Sequence, residues 1–545
     1  MNVAELMIRC LENEGVKYIF GVPGEENEDF LFALESSPIQ FVPVRHEQGG
    51  AFIANVMGRL TGKAGVCLST LGPGATNLMT GVADANLDKA PLVAITGQGG
   101  IDRNHHESHQ MIDIVQMMAP ITKWNGRIVT GSVVHEMVRK AFKLAQAEKS
   151  GATHLEIPED IAASIVKGDF APIKSSKVFR PTPDNNIILE AIKLLSKAKA
   201  PLILAGNGAI RTRASKALIK LSTQYNIPVA CTFMAKGAIS DKLSTSLMSV
   251  GLGFKDYVIE AFNKADVILS IGYDVAEYAP QNWNPNKDKT IIHLDFNPAE
   301  VYDAYHTDIE VVGDIANGIS AIIDNMPNKK YSDWYQEIRD RIVESVSSYH
   351  TDADNEKFNA PNVISAIREV LPDNSLIISD VGSHKMWIAR NYPTYVPNGC
   401  IISNGMASMG IALPGLIAGY LVDNQRPVVS IMGDGGALMN IQELETAVRL
   451  NVKGIIIVLN DNNYGLIQWK QEMHEGKSFG TKIGNPNFVE LAKSFGIEAY
   501  QPKNIGDLKK LVTNVINDNK LVLLEIPIGT EVNENLVQTL KEYFK

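Results

Sequence analysis

The sequence predicts an α/β protein of three domains, each a parallel sheet wound with helices. Three observations point there. Short apolar runs of strand length recur along the chain with helical stretches between them. A polar stretch with prolines interrupts the alternation once, and a charged helical stretch interrupts it a second time. Strands separated by helices cannot be joined as hairpins, so they imply parallel neighbours with crossover connections.

The chain opens with MNVAELMIRCLENEG, whose apolar residues fall at helical spacing and which has no signal-peptide h-region. KYIFGVPG, QFVPV, AGVCLST, PLVAITG and ATHLEIP then read as strands, with GGAFIANVMGRL as a helix among them. DFAPIKSSKVFRPTPDNN, Asp169 to Asn186, reads as a linker, which ends the first domain at 1–168. APLILAGNG, IPVACTF, ADVILSIGYD, TIIHLDFNP and IEVVGD form the second set, with KALIKLSTQYN as a helix after the first strand, in a domain spanning 189–325. NKKYSDWYQEIRDRIVESVSSYH leads into NSLIISDVG, RPVVSIMGDGG, KGIIIVLNDN and KLVLLEIP, a third domain at 357–545. No short repeat is present, so three sheets of similar size is the parsimonious arrangement.

Composition narrows the function. The 545 residues carry 51 Lys+Arg against 61 Asp+Glu, a net charge of -10, which argues against a nucleic-acid partner. No apolar stretch approaches the roughly 18 residues needed to span a bilayer, so no membrane partner is expected and a cytoplasmic protein is. Cys10, Cys67, Cys231 and Cys400 lie far apart without CxxC spacing and read as buried thiols.

The strongest local signal is RPVVSIMGDGGALMNIQELETAVRLNVKGIIIVLNDNNYG. It reads as a strand (Val428 to Met432), a glycine turn (Gly433-Asp434-Gly435-Gly436), a helix (Ala437 to about Asn451) and a second strand (Gly454 to Leu459). That βαβ unit places Asp434 and Asp461 at the carboxyl ends of parallel strands, where α/β sheets bind ligands. Two carboxylates there suit a hard cation such as Mg²⁺, and the glycines let backbone N–H groups approach a diphosphate. A second signal is PVRHEQGGAFIANVMGRLTGKAGVCLSTLGPGATN, in which Glu47 opens a helix after a short strand. Gly72-Pro73-Gly74 and Gly21-Val22-Pro23-Gly24 also lie at strand ends. The GNG at Gly206 to Gly208 lacks the third glycine of a dinucleotide fingerprint and reads as a strand-end turn. The adjacent His105 and His106 read as exposed, and with His109 they lack the acid or cysteine pattern of a zinc site.

Glu47 in RHEQ, the TLGPGATN loop and the GDGG to NDNNYG pair together resemble the thiamine-diphosphate-dependent 2-keto acid enzymes. That resemblance implies a pyrimidine-binding, a central and a diphosphate-binding domain, in the order of the three domains above. SHQMID, IGYDVAEYAPQNWN, DVGSHKMWIAR, ISNGMASMGIALP and GDGGALMNIQELETAVRL are similar to segments of acetolactate synthase catalytic subunits, most of all the flavin-independent catabolic type. The resemblance implies decarboxylation of pyruvate on thiamine diphosphate and condensation with a second pyruvate to give 2-acetolactate and CO₂. The alternatives within the superfamily are a 2-keto acid decarboxylase and an FAD-dependent oxidoreductase resembling pyruvate oxidase.

Residue by residue, the resemblance implies that Glu47 serves the aminopyrimidine ring, with His109 and Gln110 facing substrate. Mg²⁺ would be held by Asp434, Asp461 and the backbone carbonyl of Asn463. Cofactor contacts would come from Gly24, Thr70, Gly72, Asn77, Gly382, Ser383, His384, Gly433, Asp434, Gly435, Gly436, Asn463, Tyr464 and Leu466. Ala407 and Met409 of the ASMG stretch would lie under the cofactor. Gln110, Leu466 and Trp469 would line the substrate pocket. Trp469 aligns with a tryptophan of the biosynthetic branch that helps admit 2-ketobutyrate, which leaves the acceptor open among pyruvate and other small 2-keto acids. Gly272-Tyr273 stands where flavin-containing relatives carry Gly-Arg, so FAD is not expected, and Glu159 stands where they carry Lys. Active sites shared between chains imply a homodimer or homotetramer, and no regulatory subunit is expected.

Overall fold

The computed structural model describes residues 1–103, 105–176, 178–251, 256–350 and 357–536. Residues 252–255 of the expected second domain and 537–545 of the third lie outside the described residues. Three six-stranded sheets are present, and every pairing between named strands is parallel.

The first sheet comprises β1 (Tyr18–Gly21), β2 (Gln40–Pro43), β3 (Gly65–Ser69), β4 (Leu92–Gln98), β5 (Trp124–Arg127) and β6 (Ala152–Pro158), in the order β2-β1-β3-β4-β6-β5. All seven residues of β4 and of β6 are buried, as expected of inner parallel strands covered on both faces. The helix Val3–Asn13 begins on a capping box between Asn2 and Glu5 and buries Val3, Leu6, Met7 and Leu11 against this sheet's core.

The second sheet comprises β7 (Pro201–Ala205), β8 (Val229–Cys231), β9 (Ser246–Ser249), β10 (Val267–Ile271), β11 (Thr290–Asp295) and β12 (Ile309–Val312), ordered β12-β11-β10-β7-β8-β9. This is the strand order of a dinucleotide-binding fold, with its switch point between β7 and β10. The third comprises β13 (Leu376–Ser379), β14 (Cys400–Ile402), β15 (Val428–Gly433), β16 (Gly454–Asn460), β17 (Glu498–Tyr500) and β18 (Leu521–Pro527), ordered β14-β13-β15-β16-β18-β17. It repeats the topology of the first sheet, so β13/β15 corresponds to β1/β3, the point where strand order reverses in each.

Fourteen of these strands coincide with the apolar runs of the sequence. The other four, β5, β9, β14 and β17, each lie at the edge of a sheet. Two expectations are corrected by the βαβ unit around Asp434. The GDGG stretch is not a turn: β15 runs through Gly433, and the helix Asp434–Asn440 starts at once, with Gly435 and Gly436 in its first turn. The single helix expected to Asn451 is two, Asp434–Asn440 and Glu443–Arg449.

The described chain divides into two compact units. One holds residues 1–179 with 405–424 and 440–452; the other holds 180–404, 425–439 and 453–545. Among the described residues no helix is long and apolar enough to cross a membrane. The four cysteines are buried and form no disulfide, and burial pushes the thiols of Cys10, Cys67 and Cys231 up to about 12.

Candidate active site

Within the first unit, the candidate residues stand at the carboxyl ends of neighbouring strands. β1 pairs with β2 through Gly21 and Pro43 and with β3 through Gly21 and Leu68, so the segments leaving these strands emerge side by side. Glu47 is the first residue of the helix Glu47–Thr61, whose start is capped by His46, Nδ1 of which accepts from Gln48 N. The Glu47 side chain is 7% exposed, and its Oε2 accepts a hydrogen bond from Asn77 Nδ2 at 2.9 Å. A Cβ on Gly74 would stand 3.2 Å from Glu47 Oε1 and 3.0 Å from Thr70 Cγ2, so the glycine leaves open the space beside the carboxylate. Thr70 Oγ1 donates to Glu26 Oε2 at 2.5 Å, and Gly24 lies against the Thr70 side chain. Gly72 has φ +50, and a Cβ there would meet Gln110 O at 2.7 Å. Gly24, Glu47, Thr70, Gly72, Asn77 and Gln110 are thus brought together.

Gln110 and His109 are exposed on the loop after β4, and Gln110 has φ 57. That loop is anchored by Glu159, whose Oε1 accepts from Gly100 N and Arg103 Nη1, both at 3.0 Å, while Arg103 holds Ser108 Oγ. His105 and His106 are exposed and bonded to each other at 3.1 Å. The 405–410 loop belongs to the same unit. Gly405 N donates to Asp88 Oδ1 at 2.7 Å, Gly410 O accepts from Asn440 Nδ2 at 2.7 Å, and between them Ala407 holds φ 55 just before half-buried Met409.

Within the second unit, the ends of β13, β15 and β16 are adjacent in the sheet, with Ser379 beside Ile431 and Gly433 beside Leu459. Ser383 and His384 are buried, and a Cβ on Gly382 would stand 2.8 Å from the His384 ring. Burial lowers the imidazole to about 4, so it is neutral at pH 7, and its Nε2 has no hydrogen-bond partner. Asp434 Oδ1 accepts from Gly435 N at 2.8 Å; Asp461 Oδ1 accepts from Asn463 N at 3.0 Å. Burial, then the charge of Asp434, push the Asp461 carboxyl up to about 7. Tyr464 is exposed, and Leu466 and Trp469 lie half-buried on the helix Gly465–Glu475.

Asn485 belongs to this cluster without any sequence signal. Its Nδ2 faces Asp434 Oδ2 at 2.6 Å, Asn460 Oδ1 at 3.0 Å and Asn462 Oδ1 at 3.1 Å. An amide with two hydrogens cannot serve three acceptors fully. This surplus of oxygens, a carboxyl held off its ordinary value and the unpartnered buried atoms His384 Nε2, Asn463 Oδ1 and Asn485 Oδ1 together fit a cation bound with an anionic ligand. Among the described residues no group of three or more His, Cys, Asp or Glu side chains is gathered for a metal. A cation here would therefore rest on two carboxylates, amide or carbonyl oxygens and the ligand's own.

The switch point of the second sheet is closed. Gly206 N and Gly208 N donate to Ile271 O and Gly272 O at 2.9 and 2.8 Å. Asn207 N donates to both oxygens of Glu277 at 3.0 and 3.1 Å. All three amides that could greet a phosphate are engaged, one of them by a carboxylate, and Tyr273 is buried among Trp283 and Tyr305.

Comparison with known proteins agrees with this architecture. Residues 1–117 match the family described as thiamine pyrophosphate enzyme, N-terminal TPP binding domain; residues 188–322 match its central domain, and residues 380–526 its C-terminal TPP binding domain. The chain is 33% identical to an acetolactate synthase of Bacillus subtilis (strain 168) over 537 residues, 98% of this chain and 94% of that protein. It is 30% identical to the catabolic acetolactate synthase of Raoultella terrigena, covering 98% and 97%. It is also 30% identical to the acetolactate synthase isozyme 1 large subunit of Escherichia coli (strain K12), covering 97% and 94%.

Proposed function

The chain belongs to the acetolactate synthases, a thiamine-diphosphate-dependent family, and from that premise we propose that its two residue clusters carry the synthesis of 2-acetolactate from two molecules of pyruvate. The observation that carries the assignment is the buried Glu47 carboxylate, held by Asn77 beside the open space at Gly74. When bound, thiamine diphosphate supplies the electron sink that accepts the electron pair left as CO₂ departs from pyruvate.

Glu47 presents Oε1 toward that space while Asn77 fixes Oε2, so one oxygen remains to share a proton with a ring nitrogen. Gly24, Thr70 and Gly72 shape the wall on which the ring would rest. Asp434, Asp461 and the carbonyl of Asn463 would hold Mg²⁺. Gly382, Ser383, His384, Gly433, Gly435 and Gly436 would receive the diphosphate, with neutral His384 offering Nε2. Ala407 and Met409 would support the rings, with Tyr464 and Leu466 beside them. His109, Gln110, Leu466 and Trp469 would face the keto acid.

We further propose that the enzyme works without FAD: the closed β7/β10 switch point, with Glu277 already seated on Asn207 N, supports this. The reading includes a homodimer or homotetramer with active sites shared between chains. In support, the Glu47 and Asp434 clusters belong to different compact units, and no residue of the helix Gly465–Glu475 is fully buried. Ile467, Leu438 and Met439 are exposed apolar residues of the unit that carries Asp434. Buried cysteines outside any disulfide support a reducing, cytoplasmic setting.

The deciding experiment is incubation of the purified protein with thiamine diphosphate, Mg²⁺ and pyruvate, without FAD, with products identified by NMR. Acetolactate is expected. Acetaldehyde as the main product would overturn the reading in favour of a decarboxylase, and consumption only after FAD is added would overturn the flavin-independent part.

A further inference from the structure

Glu443 has no role in the assignments above, yet it is among the most buried acids of the chain, with 0% of its surface exposed. It begins the short helix Glu443–Arg449, in the 440–452 segment of the first compact unit. Its Oε1 accepts from Arg45 N and His46 N, both at 3.1 Å, and its Oε2 accepts from Thr446 Oγ1 at 2.6 Å. At the other end of the same helix, Arg449 Nη2 donates to Pro43 O. One short helix therefore grips the connection between β2 and the helix Glu47–Thr61 at three backbone groups. The fit leaves no slack: a Cβ on Gly49 would stand 2.6 Å from Glu443 Oε1. Burial pushes this carboxyl up, and the hydrogen bonds from Thr446, Arg45 and His46 pull against it.

A buried carboxyl oxygen set against two backbone N–H groups fixes where those donors stand, because an unsatisfied buried N–H costs free energy. The two donors are the residues immediately before Glu47. We propose that Glu443 is a positioning residue that sets the place of Glu47 by clamping the Arg45 and His46 amides. The proposal rests on the reading of Glu47 given above.

The test compares Glu443→Ala, Glu443→Gln and Glu47→Gln with the wild type, using two measurements besides turnover. One is hydrogen exchange of the Arg45 and His46 amides in the apoprotein; the other is deuterium exchange at the thiazolium C2 of bound thiamine diphosphate, read by NMR after acid quench. Glu443→Ala is expected to speed amide exchange by at least about tenfold. It should slow both C2 exchange and kcat by roughly ten- to a hundredfold, with KM for pyruvate within about twofold of wild type. Glu443→Gln keeps an acceptor oxygen for both amides and should restore C2 exchange to within about threefold of wild type. If Glu443→Ala does not fold, Glu443→Asp, one methylene shorter, is read in its place against the same expectations. Wild-type C2 exchange in the alanine or aspartate variant, beside a slow Glu47→Gln, would overturn the positioning role and leave the reading of Glu47 standing. So would a loss confined to cofactor occupancy. Wild-type C2 exchange in Glu47→Gln would instead overturn the reading of Glu47.

Discussion

Glu277 gives a pH dependence that can be worked from the structure. Its carboxylate lies inside the second domain, accepting from Asn207 N at 3.0 and 3.1 Å, from Asp274 N at 3.3 Å and from Thr232 Oγ1. Burial outweighs the Thr232 and Asn207 hydrogen bonds and, helped by Asp274, raises the carboxyl from 4.5 to about 7. The folded state then holds this proton more tightly than the unfolded chain. The group's contribution to stability is greatest at or below pH 4.5, falls as pH rises toward 7, and levels off above it. At about 1.4 kcal/mol per pH unit, the fall is about 3 kcal/mol.

Glu277→Gln cannot ionise, so the fall should be absent from the variant whatever constant cost the amide brings. The assay is the apparent melting temperature of both proteins between pH 5 and 8, since a multidomain protein does not give a single unfolding free energy. About 2.5 kcal/mol of the fall lies within that range, so the wild type should lose roughly 5–10 °C more than the variant, on the scale of a domain of about 150–250 residues. Parallel curves, or a steeper fall in the variant, would refute the reasoning.

Three further outcomes are expected. Asp434→Ala should lose Mg²⁺ and thiamine diphosphate affinity, measured by calorimetry; unchanged binding would show that the cation is held elsewhere. Gly72→Ala should destabilise by about 1–3 kcal/mol and lower activity, since φ +50 and a Cβ 2.7 Å from Gln110 O both oppose it; a thermal melt and kcat/KM check this. Cys10, Cys67 and Cys231, with thiols pushed up to about 12, should react with a disulfide reagent only after denaturation, and prompt labelling of the native protein would contradict their burial.

The inner strands were legible because their burial on both faces demands continuous apolar runs such as GIIIVL and LVLLEI. The edges were not. WNGR of β5 and EAY of β17 lack such a run, SLMS of β9 is half polar, and CII of β14 is three residues long. An edge strand is fixed by the neighbour it pairs with more than by its own side chains. The helix break after Asn440 escaped for a related reason: ALMNIQELETAVRL keeps helical periodicity through the bend, and the signal is the contact Asn440 makes with Gly410 O.

In the candidate site, Asp434, Asp461 and Glu47 were visible because a carboxylate at a strand end or helix start has a local pattern. Asn485 and Glu443 reach their partners from 51 and about 400 positions away in the sequence, and their neighbours in the chain carry no trace of that. Glu159 was singled out without a consequence; it has one in holding the loop that carries His109 and Gln110.

The 405–410 loop is tied at one end to Asp88 and at the other to Asn440, with Ala407 bent into the left-handed region between them. Neither tie uses the side chain of residue 409. Where that side chain stands is decided by the anchors, and what stands there is decided by a single codon. Such a division lets mutation sample new shapes at one spot without renegotiating the surrounding architecture.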